Sequence, residues 1–272
     1  MSIKDLSAEE LRRFIQDHHE NAYALIDVRQ PGEYEQGHIP GARLLPLPEL
    51  VQTMESLPAK KQLVFYCHSG GRSMAAASMA EEEGAGAGDL INLSGGILAW
   101  DGGITEDYPH VQLFNWQDAP SDMLLTAMNL EKGALNFYTQ VHSRHQDASW
   151  VNVFADLAKA EMGHARTVYR LWRQMEADGD EFESVFDSLS GEVLEGGMPL
   201  DDALQKLKTI KGPLCLRLIE MALKIEYAAF DLYHTMADRV TSSDAQEAFI
   251  TIAQAEKAHM HSLSKAIARC TA

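Results

Sequence analysis

Cysteine is scarce in this chain: three in 272 residues, at positions 67, 215 and 270. Three widely spaced cysteines are too few for a disulfide framework, and no C-x-x-C pair exists. The expectation is therefore a reduced, cytoplasmic protein, with Cys215 packed in a helix and Cys270 a free thiol near the terminus. Positive charge is also in short supply. Lys and Arg number 23 against 40 Asp and Glu, a net charge of −17. Without a local basic patch, that field excludes nucleic acid as the expected partner. No apolar run approaches the ~20 residues of a membrane span. The opening MSIKDLSAEE lacks a basic stretch followed by an apolar one, so no signal peptide is expected. What is present is globular: 46% hydrophobic and 23% charged residues. The length suits two domains at roughly 100–200 residues each.

The two halves have different periods. Up to about residue 110, short apolar runs alternate with helical patterns. Residues 22–28 and 62–66 read as buried strands; 90–93 and 43–47 are weaker strand candidates. Ser7-Ala8-Glu9-Glu10 is a capping box for a helix to about His18, and residues 73–83 form an alanine-rich helix stopped by Gly84. This alternation predicts an α/β domain over residues 1–112, a mainly parallel sheet with helices on both faces. Residues 113–121, with Phe114 and Trp116, read as a short linker that packs rather than swings.

From 122 to 272 the pattern is all-α. Four segments of helical period cover residues 122–144, 148–176, 213–239 and 244–268, and Ser243 to Gln246 resembles a capping box for the last. Short joins near Gln146 and Thr241 make each pair an antiparallel hairpin. The connection 177–212 carries a short amphipathic helix at 200–210. Two hairpins and one long crossover predict a four-helix bundle of ferritin-like topology. Charge does not separate the halves: residues 1–113 carry net −9 and the remainder −8.

Two constellations carry chemistry. The first is Tyr66-Cys67-His68-Ser69-Gly70-Gly71-Arg72-Ser73. A cysteine at a strand end, before a glycine loop that opens a helix, meets backbone N–H groups and the positive end of the helix dipole. Such a thiol has a lowered pKa and is a nucleophile. Arg72 adds a fixed cation. The segment resembles a rhodanese active-site loop, and other pieces fall in the same order: Asp27-Val28-Arg29, Gly37-His38-Ile39-Pro40-Gly41-Ala42, and Gly95-Gly96-Ile97-Leu98-Ala99-Trp100. The resemblance covers about residues 1–110 and implies a sulfurtransferase. Cys67 would carry a sulfane sulfur as a persulfide, the loop His68, Ser69, Gly70, Gly71 and Ser73 would cradle it, and Arg72 would assist. Arg72 lies five residues after Cys67, where related phosphatases have six, so the smaller cradle suits sulfur.

The second constellation is repeated. Residues 158–164 and 253–259 both read A-x-A-E-x-x-H, placing Glu161 with His164 and Glu256 with His259 on single helix faces. Glu131 and Glu226 sit in matching apolar contexts, with Tyr138 and Tyr233 seven residues beyond. Glu131 to Glu161 and Glu226 to Glu256 are each 30 residues, so in each hairpin both glutamates lie ~15 residues, about 22 Å, from the turn. Four carboxylates and two imidazoles at one level suit two divalent metals. His142 and His145 read as helix-end residues, and His234 and His261 fall outside the ligand pattern.

This half resembles the rubrerythrin-like branch of the ferritin-like di-iron proteins. That resemblance implies two irons (manganese or a mixed pair being alternatives) on Glu131, Glu161, His164, Glu226, Glu256 and His259, and peroxidase or oxidase activity. It also implies peroxide or oxygen as substrate, an external electron donor and a homodimer. Rubrerythrins usually have a further glutamate where this chain has Ala229, and many append a rubredoxin module with C-x-x-C pairs, absent here. The expected partners of the first half are a small sulfur donor and a thiol acceptor, with no nucleic acid and no membrane. The expected whole is sulfur transfer linked to oxidative defence; the alternative is a bundle that only binds metal or dimerises, serving as scaffold for a sulfur-transfer or persulfide-sensing module.

Overall fold

The computed structural model describes residues 2–176 and 178–270. Residue 177, where the predicted crossover begins, and residues 1, 271 and 272 lie outside the described residues. The chain forms two compact units, residues 1–108 and 109–272. The predicted linker is part of the second: Phe114 is buried and meets Phe249 edge-on in its core.

The first unit is built on a five-stranded parallel sheet. Its elements in order are β1 (Ile3–Leu6), α1 (Ala8–Asp17), β2 (Tyr23–Asp27), α2 (Pro31–Glu35), β3 (Arg43–Leu44), α3 (Leu47–Gln52), β4 (Gln62–Tyr66), α4 (Gly71–Glu82), β5 (Leu90–Leu93) and α5 (Gly96–Ala99). The strand order is β1-β5-β4-β2-β3. Strand β2 is buried at all five residues and β4 at its last four, as expected of strands covered on both faces. Two apolar clusters form the core. One gathers Ile26, Phe65 and the alanines of α4, the other Leu11, Leu25, Val64 and Leu93. The capping box forms as predicted, with Ser7 and Glu10 each bonding the other's backbone N–H. Strand β3 is only two residues of the five expected. Strand β1 was not predicted: it is a short edge strand whose central Lys4 and Asp5 are exposed, so it shows no buried alternation.

From β2 the chain turns to β3 on one side, and from β4 to β5 on the other. The adjacent carboxyl ends of β2 and β4 therefore form the point where the winding reverses, and a crevice opens there. Residues 28–30 and 67–70 emerge at this point.

The second unit contains α6 (Pro120–Arg144), α7 (Asn152–Met175), α8 (Phe182–Ser188), α9 (Leu200–Thr209), α10 (Leu214–Arg239) and α11 (Ser243–Ile267). Helices α6 with α7, and α10 with α11, are antiparallel hairpins, and α7 also packs on α11. One apolar cluster holds Leu124 and Met128 of α6, Val168 and Trp172 of α7, Met236 of α10 and Phe249 of α11. The other holds Phe137 and Val141, Phe154 and Leu157, Ile219, and Leu263. The end of α7 and the start of α10 thus belong to opposite ends of the bundle, and the segment between them must run its length. That segment carries α8, a 3-10 turn at Glu195–Gly197, and α9; the turn packs against both α10 and α6.

Two sequence expectations fail in this unit. The cap of α11 is Ser242, not Ser243: its hydroxyl accepts from Ala245 N–H. Cys215 and Cys270 are joined in a disulfide, so Cys270 is not a free thiol. Helices of 26 and 25 residues make an even hairpin, which returns the chain past α11 to the level of Cys215 despite a separation of 55 residues. Among the described residues Cys67 is the free cysteine.

Candidate functional sites: a thiolate cradle and a carboxylate cluster

Cys67 ends β4 and is 1% exposed. The chain then curls through exposed His68 and Ser69 into α4. Gly70 closes the curl at φ 98°, a conformation that costs a side-chain-bearing residue. The segment after β5 braces the loop from behind. Ile97 and Leu98 N–H donate to the Cys67 and His68 carbonyls at 2.8 and 3.1 Å. A Cβ on Gly96 would stand 2.4 Å from the Cys67 carbonyl oxygen, so only glycine lets this brace approach.

The sulfur lies at the centre of the curl. Gly70 N–H donates to Sγ at 3.1 Å and the buried Ser73 hydroxyl at 3.4 Å. Burial pushes the thiol pKa up, but hydrogen bonds from the Ser73 side chain and backbone, and from the N–H groups of Ser69 and Gly70, outweigh it, and the net direction is down. Arg72 leans over the loop, with its two terminal nitrogens each 2.7 Å from a Glu33 carboxylate oxygen. Glu33 sits in α2, and the Arg72 guanidinium holds its carboxyl down to about 2. The Arg72 charge is therefore shared between Glu33 and the sulfur, not aimed at the sulfur alone. Sequence reasoning missed Glu33, whose only local signal is its place in a helix-starting Pro-Gly-Glu.

In the second unit the six predicted residues converge. Glu131, Glu161, Glu226 and Glu256 have no exposed surface, and His259 is 7% exposed. His164 Nδ1 is 3.2 Å from Glu131, 3.1 Å from Glu161 and 3.1 Å from Glu256. His259 Nδ1 is 3.0 Å from Glu226, 3.1 Å from Glu256 and 3.4 Å from Glu161. The two imidazoles stack with centroids 4.8 Å apart. Tyr233 donates to Glu131 at 2.8 Å, and Tyr138 to Glu226, so each hairpin's tyrosine binds the other hairpin's glutamate.

A seventh buried residue joins them. Glu195, 1% exposed, receives a bond from Tyr233 at 3.1 Å, and one of its oxygens lies within 4.8 Å of oxygens from Glu131, Glu161 and Glu256. A second group of atoms within that distance joins Glu161, His164, Glu256 and His259, so Glu161 and Glu256 belong to both. Burial raises the Glu161, Glu195 and Glu226 carboxyls, Glu226 to about 8, with neighbouring carboxylates adding to the rise. Burial would likewise raise Glu256, yet the flanking His164 and His259 charges pull it below the usual range. Glu195 Oε2 has no hydrogen-bond partner, whereas Glu161 Oε1 and both Glu256 oxygens face imidazole nitrogens at 3.1–3.4 Å. His142, His145 and His261 do not belong to these groups.

The profile of the rhodanese-like domain matches residues 7–102. A "Sulfurtransferase" of Allochromatium vinosum is 35% identical over 98 residues, covering 36% of this chain and 88% of that protein. The "Putative sulfurtransferase YtwF" of Bacillus subtilis is 36% identical over 102 residues, covering 38% of this chain and 94% of that protein. The chain belongs to the rhodanese-like family. Among solved structures, a rhodanese-like domain protein from Staphylococcus aureus is 27% identical, covering 38% of this chain and 98% of that one, with a TM-score of 0.34.

Several family-like motifs of the rhodanese-like unit frame the cradle from outside it. Arg29 forms a buried ion pair with Asp27 at 2.6 Å and donates to the Gly37 carbonyl. His38 stacks on Tyr34 with centroids 3.6 Å apart and pairs its backbone with Thr105. These contacts fix the β2 end of the crevice.

Proposed function

We propose that the rhodanese-like unit is a sulfurtransferase whose carrier is Cys67. One observation carries this: a sulfur held at a helix start by N–H and O–H donors that lower its pKa. The thiolate attacks the outer sulfur of a sulfane donor. The donor's S–S bond breaks, its electron pair leaves with the departing thiolate or sulfite, and Cys67 becomes a persulfide. The outer sulfur of that persulfide takes the anionic charge and occupies the open side of the curl, where the loop N–H groups point. A thiol acceptor, as its thiolate, then attacks the outer sulfur, and the Cys67 thiolate departs. Sulfur passes as the neutral atom, so no external oxidant is needed. Arg72, steadied by Glu33, offers a cation to an anionic donor at the rim.

For the second unit we infer a di-iron carboxylate centre of the rubrerythrin-like kind, with manganese or a mixed pair as the alternative filling. The residues fit two divalent ions: five buried carboxylates face two imidazoles, and Glu195 Oε2 has no hydrogen-bond partner, so the cluster calls for added positive charge. Glu131, Glu161, His164, Glu226, Glu256 and His259 would hold the pair. When bound in the ferrous state the pair supplies the two electrons that reduce a peroxide to water. The protein's own residues bury the site, hold its carboxylates in place through Tyr138 and Tyr233, and shed protons from the raised glutamates as positive charge arrives. Electrons return from an external donor. Joining the two units links sulfur transfer to peroxide removal.

The test uses the full chain. After exposure to thiosulfate or a small persulfide, Cys67 gains the mass of one sulfur atom, and added thiol removes it. Cys67→Ser abolishes transfer, a loss of roughly a thousandfold or more, and leaves metal content unchanged. A C67S protein that still transfers sulfur would sink the first reading. Iron-loaded protein that holds fewer than two ions, or that does not consume peroxide, would sink the second.

A further inference from the structure

The crossover does more than return the chain to the far end of the bundle. The geometry points to Glu195 as a seventh metal-binding residue, supplied by the crossover to the Glu131 side of the centre only. This inference rests on the reading that the second unit holds two divalent ions.

Three independent observations carry it. Glu195 is 1% exposed yet comes from a connection, where carboxylates ordinarily face water. Its Oε1 receives the Tyr233 hydroxyl, while Oε2 has no partner at all. An oxygen of Glu195 also falls within 4.8 Å of oxygens from Glu131, Glu161 and Glu256. A buried carboxylate with one oxygen orphaned among three others is stable only if a cation or protons are shared among them.

The fold makes room for this insertion at both flanking helices. Gly133 of α6 lies two residues after Glu131, and Ala228 of α10 lies two residues after Glu226: equivalent positions of the two hairpins. A Cβ on Gly133 would stand 2.0 Å from the Val193 carbonyl oxygen. A Cβ on Gly196 would stand 2.4 Å from the Ala228 side chain. The crossover is thus seated between two small residues, and Gly196, at φ 73°, turns the chain so that Glu195 faces inward. At the next position of each helix stand Ala134 and Ala229, both fully buried and without a ligand atom. The loop supplies what neither helix does. A cavity of about 290 Å³ has Glu195, Met198, Met221 and Ala228 in its wall.

The consequence is an unequal pair. The Glu131 side would have an extra carboxylate and the Glu226 side none, so the two ions differ in affinity and ligand field although the hairpins are matched. The test is anaerobic titration of the full chain with Co²⁺ and with Fe²⁺, read by calorimetry and by the Co²⁺ absorption spectrum. The wild type takes up two ions in distinguishable steps. Glu195→Gln, which keeps size and removes charge, weakens one step at least about tenfold and alters its spectrum, leaving the other step unchanged. Glu195→Ala does the same, and Glu226→Gln perturbs the other ion. Thermal melting of the metal-free proteins verifies that each variant is folded. Two unchanged steps and unchanged spectra in both Glu195 variants would overturn the inference while leaving the two-metal reading intact. A wild type that binds fewer than two ions overturns both.

Discussion

The two units bury negative charge in opposite ways. In the rhodanese-like unit one sulfur sits at the start of a helix, where the first backbone N–H groups have no intrahelical partner and are free to serve an anion. In the helical unit five carboxylates sit in or beside mid-helix segments, where every N–H is already spent on the carbonyl four residues back. Only side chains remain to answer them, and two imidazoles and two tyrosines are too few for five carboxylates: Glu195 Oε2 is left without a hydrogen-bond partner. A site at a helix start draws its donors from the helix's own first turn, backbone N–H and Ser73 hydroxyl together. A site across helix middles has to draw its positive charge from elsewhere.

That contrast can be pressed at three points. The largest effect expected is on stability, and in the helical unit alone. Reducing the Cys215–Cys270 disulfide opens a 55-residue loop, and the chain-entropy relation sets the loss at about 4 kcal/mol. Unfolding of the helical unit shifts under reductant, while the rhodanese-like unit, which has no disulfide, melts as before; equal shifts in both would break the distinction. Next is Glu256→Gln. Glu256 meets both histidines, so its loss weakens binding of both ions by roughly a hundredfold, measured by competition with a chelator, with sulfur transfer untouched. The smallest is at the cradle. The Cys67 pKa is lowered, so its thiolate persists as pH falls and alkylation slows only below that lowered midpoint. Ser73→Ala removes a donor to the thiolate and moves the midpoint up. The variant therefore loses rate at a higher pH, roughly threefold to tenfold at neutrality. An unmoved iodoacetamide pH profile would show that the backbone alone sets it.

What was legible in the sequence was contiguous or repeated. The cradle is one run of eight residues, so Cys67, its loop and Arg72 were visible together. The six cluster residues were visible because each half of the pattern occurs twice at the same spacing. Glu195 occurs once, in a segment with no period, and its partners lie 34 or more residues away in sequence. Its only trace is a glutamate followed by two glycines, opposite small residues at 133 and 228. Glu33 was hidden for the same reason: it meets Arg72 across 39 residues. The disulfide was readable only by comparing the lengths of two helices and seeing that their ends coincide. Strand β1 owes its place to pairing with β5 rather than to any pattern of its own.

The crossed tyrosines have one more implication. Tyr138 completes Glu226 and Tyr233 completes Glu131, so neither hairpin finishes its own half, and the cluster comes into being only as the hairpins dock. A single such hairpin, meeting an identical copy, would obey the same rule and assemble all six repeated residues with no crossover at all. Such a pair would be strictly symmetric. In one chain the connecting segment exists only once, and its Glu195 stands beside Glu131, with no counterpart beside Glu226 in the same group of oxygens.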